Sequence, residues 1–275
     1  MDKVSASLSL MRRLPPKNIE QNVTGLLNLL PDQMDELLQR IDQPLEEEVD
    51  PETGRKYLRC DYNRDGDSYR SPWSNKYNPP IDDGFLPSEQ LRPVEMEANE
   101  LFDAYRELYY EGGTSSVYLW DLDDGFAGCF LIKKALAGSV AGVDKGTWDS
   151  IHVIEMHEEE GGGKATYKLT TTVMLSMDMT GEDFGNCDIS GSLTRQAETT
   201  EAFDGESKSH VVNIGRMIES MEGDIRINLD KLYLAKMREV VMFHIRGGKG
   251  PKMSDEHVNA LNAAIKGHVA PKIPA

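Results

Sequence analysis

Three short stretches of this chain carry residues whose types and spacing could do chemistry. Asp61 to Asp67, "DYNRDGD", opens like a calcium-binding loop, because Asp61, Asn63, Asp65 and Gly66 sit at its positions 1, 3, 5 and 6. Such a loop needs a bidentate acid at position 12, and Pro72 stands there between non-helical flanks. The segment therefore reads as Asx-type turns. "EGGGK" around Gly163 lacks the phosphate-loop pattern, since Glu158 replaces the earlier glycine and Ala165 follows Lys164. His152 and His157 fall five apart on one strand and so face opposite ways. There is no HExxH and no GxSxG. Carboxylates are abundant, but no catalytic pair can be chosen among them without geometry. These residues do not require an enzyme, and neither a cofactor nor a metal is expected. A hydrolase housed in the aromatic stretch 57–93 is the enzymatic alternative.

The three cysteines, Cys60, Cys129 and Cys187, are widely spaced and odd in number. That argues against a disulfide framework and a cysteine zinc site, and suits a reducing cytoplasm. The start of the chain has no signal-peptide apolar region, and no run approaches the roughly 20 apolar residues that span a bilayer. A net charge of −17 disfavours nucleic acid and anionic membranes as primary partners. The charge is uneven. Residues 32–52 hold nine acidic groups against Arg40 alone, whereas from Arg246 onward five basic groups face two acids. An acidic body thus carries a basic arm, or simply a solubilising charge with a few tail lysines.

The elements that would position these groups follow from periodicity. Residues 5–49 read as three short stalk helices, with Asp32 able to cap the third. Residues 50–94 form a turn-rich lobe with interleaved aromatics. Residues 95–205 begin with a helix over "VEMEANELFDAYRELYYEG", with Met96, Leu101, Tyr105 and Leu108 near one face. Five strands follow, joined by short connections, which imply an antiparallel meander. The predicted class is α+β. From 206 to 246 a long helix carries an apolar stripe through Ile214, Met217, Ile218, Met221, Ile225 and Leu229. At 37 residues (210–246) it would run roughly 55 Å, against about 20–25 Å for five strands. It overhangs its own sheet, and a second sheet from another subunit would resolve that. Residues 247–275 form a linker and an arm. Gly247, Gly248, Gly250 and Pro251 make a hinge. Val258, Leu261, Ile265 and Val269 then line one face of a helix capped by Ser254. That helix either docks at home or waits for a partner's groove.

The long blocks are more specific than any short signature. "LMRRLPPKNIEQNVTGLLNLLP", "CDYNRDGDSYRSPWSNKYNPP", "YYEGGTSSVYLWDLDDGFAGCFLIKK", "WDSIHVIE", "YKLTTTVML" and "NIGRMIESMEGDIR" resemble the beta-subunit family of the heterodimeric F-actin capping protein, CapZ. The resemblance runs from about residue 8 to 246, and beyond Arg246 only the helical stripe can be matched. It implies an obligate heterodimer with a similarly folded alpha subunit and a shared antiparallel sheet, one long helix from each chain crossing it. It implies a mobile C-terminal tentacle and calcium-independent binding to filament barbed ends, with no enzymatic activity. By position, Val258, Leu261, Ile265 and Val269 become anchors in an actin cleft. Arg246, assisted by Lys249 and Lys252, becomes a basic actin contact. CARMIL-type motifs, myotrophin-like proteins and phosphoinositides are possible regulators. The competing reading is a structural subunit of a larger cytoskeletal assembly with a docked tail.

Overall fold

The computed structural model describes residues 2–140, 143–159, 163–181, 185–203 and 207–231. The chain divides into two compact units, Met1–Ile225 and Arg226–Ala275. The architecture below is that of the first unit.

Helices α1 (Lys3–Met11), α2 (Ile19–Leu29) and α3 (Met34–Arg40) bury Val4, Leu8, Met11, Leu26, Leu37 and Ile41 against one another. Asp2 caps α1, its Oδ1 accepting the Ser5 N–H at 2.6 Å. The expected Asp32 cap on α3 is not made. Pro31–Gln33 instead form a 3-10 turn running directly into the helix, because Pro31 presets the helical φ and has no N–H to satisfy.

The end of the expected helical stretch 5–49 is a strand, and the 50–94 stretch contains more strand than its turn signals suggest. β1 (Glu46–Val49) pairs with β2 (Lys56–Arg59), and β3 (Arg64–Asp65), β4 (Ser68–Arg70) and β5 (Tyr77–Asn78) make a second small sheet. Strands this short carry no visible alternation. Asn63 is 2% exposed. Its Oδ1 accepts from Cys60 N at 2.9 Å and its amide donates to Leu58 O and Arg70 O. The calcium-like motif is thus a fold-holding turn whose central amide is already spent on backbone.

Helix α4 (Leu91–Tyr110) starts a turn earlier than expected and buries a different face. Leu91, Val94, Glu95, Ala98, Asn99 and Phe102 point inward, whereas Met96, Leu101 and Leu108 are exposed. It ends where Glu111 adopts a left-handed conformation, followed by Gly112 and Gly113 at positive φ. A side chain at Gly113 would collide with the Lys133 carbonyl, so the glycine is dictated by packing as well as by φ.

The five long strands form the expected antiparallel meander. They are β6 (Thr114–Leu122), β7 (Gly125–Val140), β8 (Val143–Glu158), β9 (Lys164–Gly181) and β10 (Gly185–Ala202), in spatial order β10-β9-β8-β7-β6. Both faces are covered. Val117, Leu119, Phe130, Ile132, Ile154 and Leu169 face α4 and α5 (Ser207–Leu229), meeting Phe102, Val211, Ile214 and Ile218. The alternate residues Tyr118, Cys129, Leu131, Ile151 and Met174 face Leu45 and Leu58 below. Far along the sheet, Asp178 and Asp188 stand opposite each other on β9 and β10. Like charges so placed repel, and Lys17 bridges them at 3.0 and 2.6 Å, tying the helical stalk to the strand ends. Among the described residues no helix is long and apolar enough to cross a membrane.

Candidate functional site

The residues predicted to touch a partner filament are Arg246, Lys249, Lys252, Val258, Leu261, Ile265 and Val269. The predicted hinge is Gly247, Gly248, Gly250 and Pro251. All lie outside the described residues, as does the expected continuation of the long helix from 232 to 246. The described unit does contain two features bearing on assembly: the two edges of its sheet, and the anchor of α5.

The two sheet edges are treated differently. On β6, the outward backbone of Val117 is paired by a side chain: Asn99 Oδ1 accepts Val117 N–H and Asn99 Nδ2 donates to Val117 O, each at 2.8 Å. Glu95 Oε2 accepts the Leu119 N–H at 2.7 Å. Leu58 N–H reaches Ser116 Oγ at 2.9 Å from β2. Carboxamide and carboxylate thus stand in for a missing strand, which explains why two polar side chains of α4 are fully buried. Glu95 is held in turn by Arg70, whose Nη1 and Nη2 donate to it at 2.8 and 2.7 Å. At the other edge, Ser192 N–H bonds Arg12 O at 3.1 Å, and no strand among the described residues pairs with the side of β10 that faces away from β9. An open edge of this length is a template for another chain's strand.

The α5 helix is fixed to the sheet by a buried carboxylate. Glu222 is 1% exposed. It accepts from Tyr105 Oη and Tyr110 Oη at 2.6 Å each and from His152 Nε2 at 3.0 Å. An ionised carboxylate only accepts, so the His152 Nε2 facing Glu222 carries a proton, while Nδ1 meets Thr171 Oγ1 at 2.9 Å. Burial pushes this carboxyl up. The hydrogen bonds and charge from His152, with the two tyrosine hydroxyls, outweigh it and hold the pKa at about 2. One side chain therefore joins α5 to α4 and β8, and His152 carries the link on to β9. Sequence reasoning placed His152 on a strand without finding its partner, because Glu222 lies 70 residues away. Elsewhere, burial raises the pKa of Asp149, with Lys133 at 2.9 Å working against it.

Among the described residues, the arrangement offers rigid scaffolding and an open sheet edge. The sequence model of the family "F-actin capping protein, beta subunit" matches residues 4–241. The chain belongs to the F-actin capping protein beta-subunit family. It is 54% identical over 239 residues to the F-actin-capping protein subunit beta of Drosophila melanogaster, covering 87% of this chain and 86% of that one. Against the same subunit of Dictyostelium discoideum it is 52% identical over 261 residues, 94% of this chain and 95% of the other. Against that of Caenorhabditis elegans it is 49% identical over 267 residues, 96% and 97%. The fold is also that of the homodimeric actin capping protein alpha subunit from Plasmodium berghei, with a TM-score of 0.51 at 14% identity over 99% of this chain and 98% of that one. An alpha-type chain and this beta-family chain therefore share one architecture.

Proposed function

We propose that this chain is the beta half of a heterodimer that binds the barbed end of the actin filament and blocks subunit addition and loss there, independently of calcium. The family match over residues 4–241 carries the reading. The sealed β6 edge and the open β10 edge support it, since they leave one direction in which a similarly folded alpha subunit can extend the sheet. Its place is the cytoplasmic cytoskeleton, and it acts as a binder rather than an enzyme.

The filament contact is assigned to the arm. Val258, Leu261, Ile265 and Val269 supply the apolar strip, Arg246, Lys249 and Lys252 supply positive charge, and Gly247 to Pro251 supply the hinge. The 29 residues after Arg246 make up more than a tenth of the chain. A relative matched over 96% of the chain must therefore include part of that arm, which favours a role for it beyond this sequence. CARMIL-type motifs, myotrophin-like proteins and phosphoinositides are proposed as regulators of the assembled dimer.

The test is co-expression with an alpha subunit followed by elongation from actin seeds. Full-length dimer is expected to stop barbed-end growth with or without calcium. A dimer truncated after Lys252 is expected to assemble normally and cap more weakly. Equal capping by both forms would remove the arm from the mechanism, and failure of the intact dimer to slow growth would remove the function.

A further inference from the structure

Cys60 and Cys129 are 69 positions apart, yet the fold places them side by side beneath the sheet. Cys129 lies on β7, flanked by Tyr118 on β6 and Val153 on β8, and is fully buried. Cys60 is only half-buried and packs against the same apolar cluster. Two residues to either side of Cys60, Leu58 accepts from the Tyr118 hydroxyl and Tyr62 stacks on Trp120, which holds this turn against β6, the strand beside Cys129. Cys60 directly follows β2, and its sulfur accepts the backbone N–H of Asn63. It borders an open cavity of about 170 Å³ that Arg59, Arg64, Asp42 and Tyr62 also line. Cys60 is therefore the member of the pair that borders solvent, and Cys129 is enclosed.

We propose that Cys60 and Cys129 form a reversible thiol–disulfide site, in which Cys60 meets the oxidant and Cys129 resolves it. The oxidant is a hydroperoxide. The deprotonated Cys60 sulfur attacks the outer peroxide oxygen, the O–O bond breaks, and the alcohol (or water) leaves with a proton. Cys60 is now a sulfenic acid. The Cys129 sulfur then attacks the Cys60 sulfur, the S–O bond breaks, and the hydroxide leaves as water with the Cys129 proton. Two thiols and one hydroperoxide become one disulfide, one alcohol and one water, and a dithiol reductant reverses the change.

The asymmetry assigns the roles. Burial pushes the Cys129 thiol up, and the neighbouring Cys60 and Asp42 act the same way. Cys129 stays an unreactive thiol until Cys60 presents an electrophilic sulfur. Bond formation brings the two sulfurs to about 2.05 Å. The movement falls on residues 60–63, since β7 is locked between two strands. Tyr62 stacks on Trp120 with ring centroids 5.6 Å apart and 9° between planes, so closure should disturb that stack. Disulfides in reducing compartments are typically transient and redox-sensing, which is the use inferred here.

The experiment treats the assembled alpha–beta dimer with hydrogen peroxide, then blocks free thiols and maps peptides without reduction. The beta chain should become lighter by two hydrogens, with Cys60 and Cys129 in one cross-linked peptide, and tryptophan emission should change and recover with dithiothreitol. Cys60→Ser should abolish all three signals. Because Cys129→Ala leaves a small cavity, Cys187→Ser serves as a folded control that should behave as wild type. In Cys129→Ala the sulfenic acid at Cys60 should persist and be trapped by dimedone. A Cys60 that passes to sulfinic acid in the wild-type dimer with no linked peptide would overturn the proposal. So would a two-hydrogen loss that survives Cys60→Ser.

Discussion

At the scale of single residues, Glu222 decides how α5 is held. Donors at 2.6, 2.6 and 3.0 Å from Tyr105, Tyr110 and His152 explain how a buried carboxylate stays ionised. Its folded pKa of about 2 lies below the ordinary value of 4.5. The stability this provides is fully present above pH 4.5 and is lost as pH falls through 2. The full difference corresponds to about 3 kcal/mol, of which about 2 kcal/mol is gone by pH 3. Glu222→Gln keeps the shape and removes the charge. Its destabilisation, from urea unfolding of the assembled dimer, should be about 2 kcal/mol smaller at pH 3 than at pH 7. An equal cost at both pH values would show that the carboxylate's charge is not what holds the helix. Glu95 and Asn99 follow a related logic with a different purpose, since their side chains terminate a sheet edge.

Among the elements, α4 shows how far periodicity carries and where it misleads. Met96, Leu101, Tyr105 and Leu108 are expected near one face, and of these only Tyr105 packs against the core, stacked on Phe102. The true inward face contains Glu95 and Asn99 at 0% and 2% exposure. Apolar counting discards the two residues that seal β6, and the stripe rotates to the wrong side. The meander was legible because its strands alternate over long stretches with turn residues between them. The small strands β3 to β5 were not, because two or three residues have no period. The Glu222–His152 and Cys60–Cys129 pairings were invisible, since each depends on strand order and register that chain distance does not reveal. The corrected face can be checked directly. Phe102→Ala, at a position 6% exposed, should cost about 3–5 kcal/mol in chemical denaturation of the dimer. Leu108→Ala, at 79% exposure, should cost less than about 0.5 kcal/mol. Comparable costs would restore the face that the apolar residues alone suggest.

For the whole molecule, the distribution of charge and apolar surface separates holding from meeting. The chain carries −17 overall, yet its last thirty residues are net positive, with five basic groups and two acidic ones. Long-range attraction to an acidic filament can speed encounter but is screened within about 10 Å at 0.1 M salt. Persistence on the filament end must come from groups desolvated after contact, and Leu261 and Ile265 are the two largest apolar side chains of the proposed strip. This division predicts different kinetic signatures for the two kinds of residue. Replacing Leu261 and Ile265 together with Asp should raise the dissociation rate of capped ends by at least 100-fold, because two lost aliphatic burials amount to roughly 3 kcal/mol or more. The association rate should change much less. Replacing Lys249 and Lys252 with Ser should instead slow association and flatten its salt dependence, leaving dissociation nearly unchanged. Uncapping, followed by regrowth of pre-capped filaments after dilution, reads the first rate, and inhibition of seeded growth over a salt series reads the second. If the double aspartate variant left barbed ends no faster than wild type, the strip would not be the part that grips the filament, and the grip would have to lie on the body of the dimer.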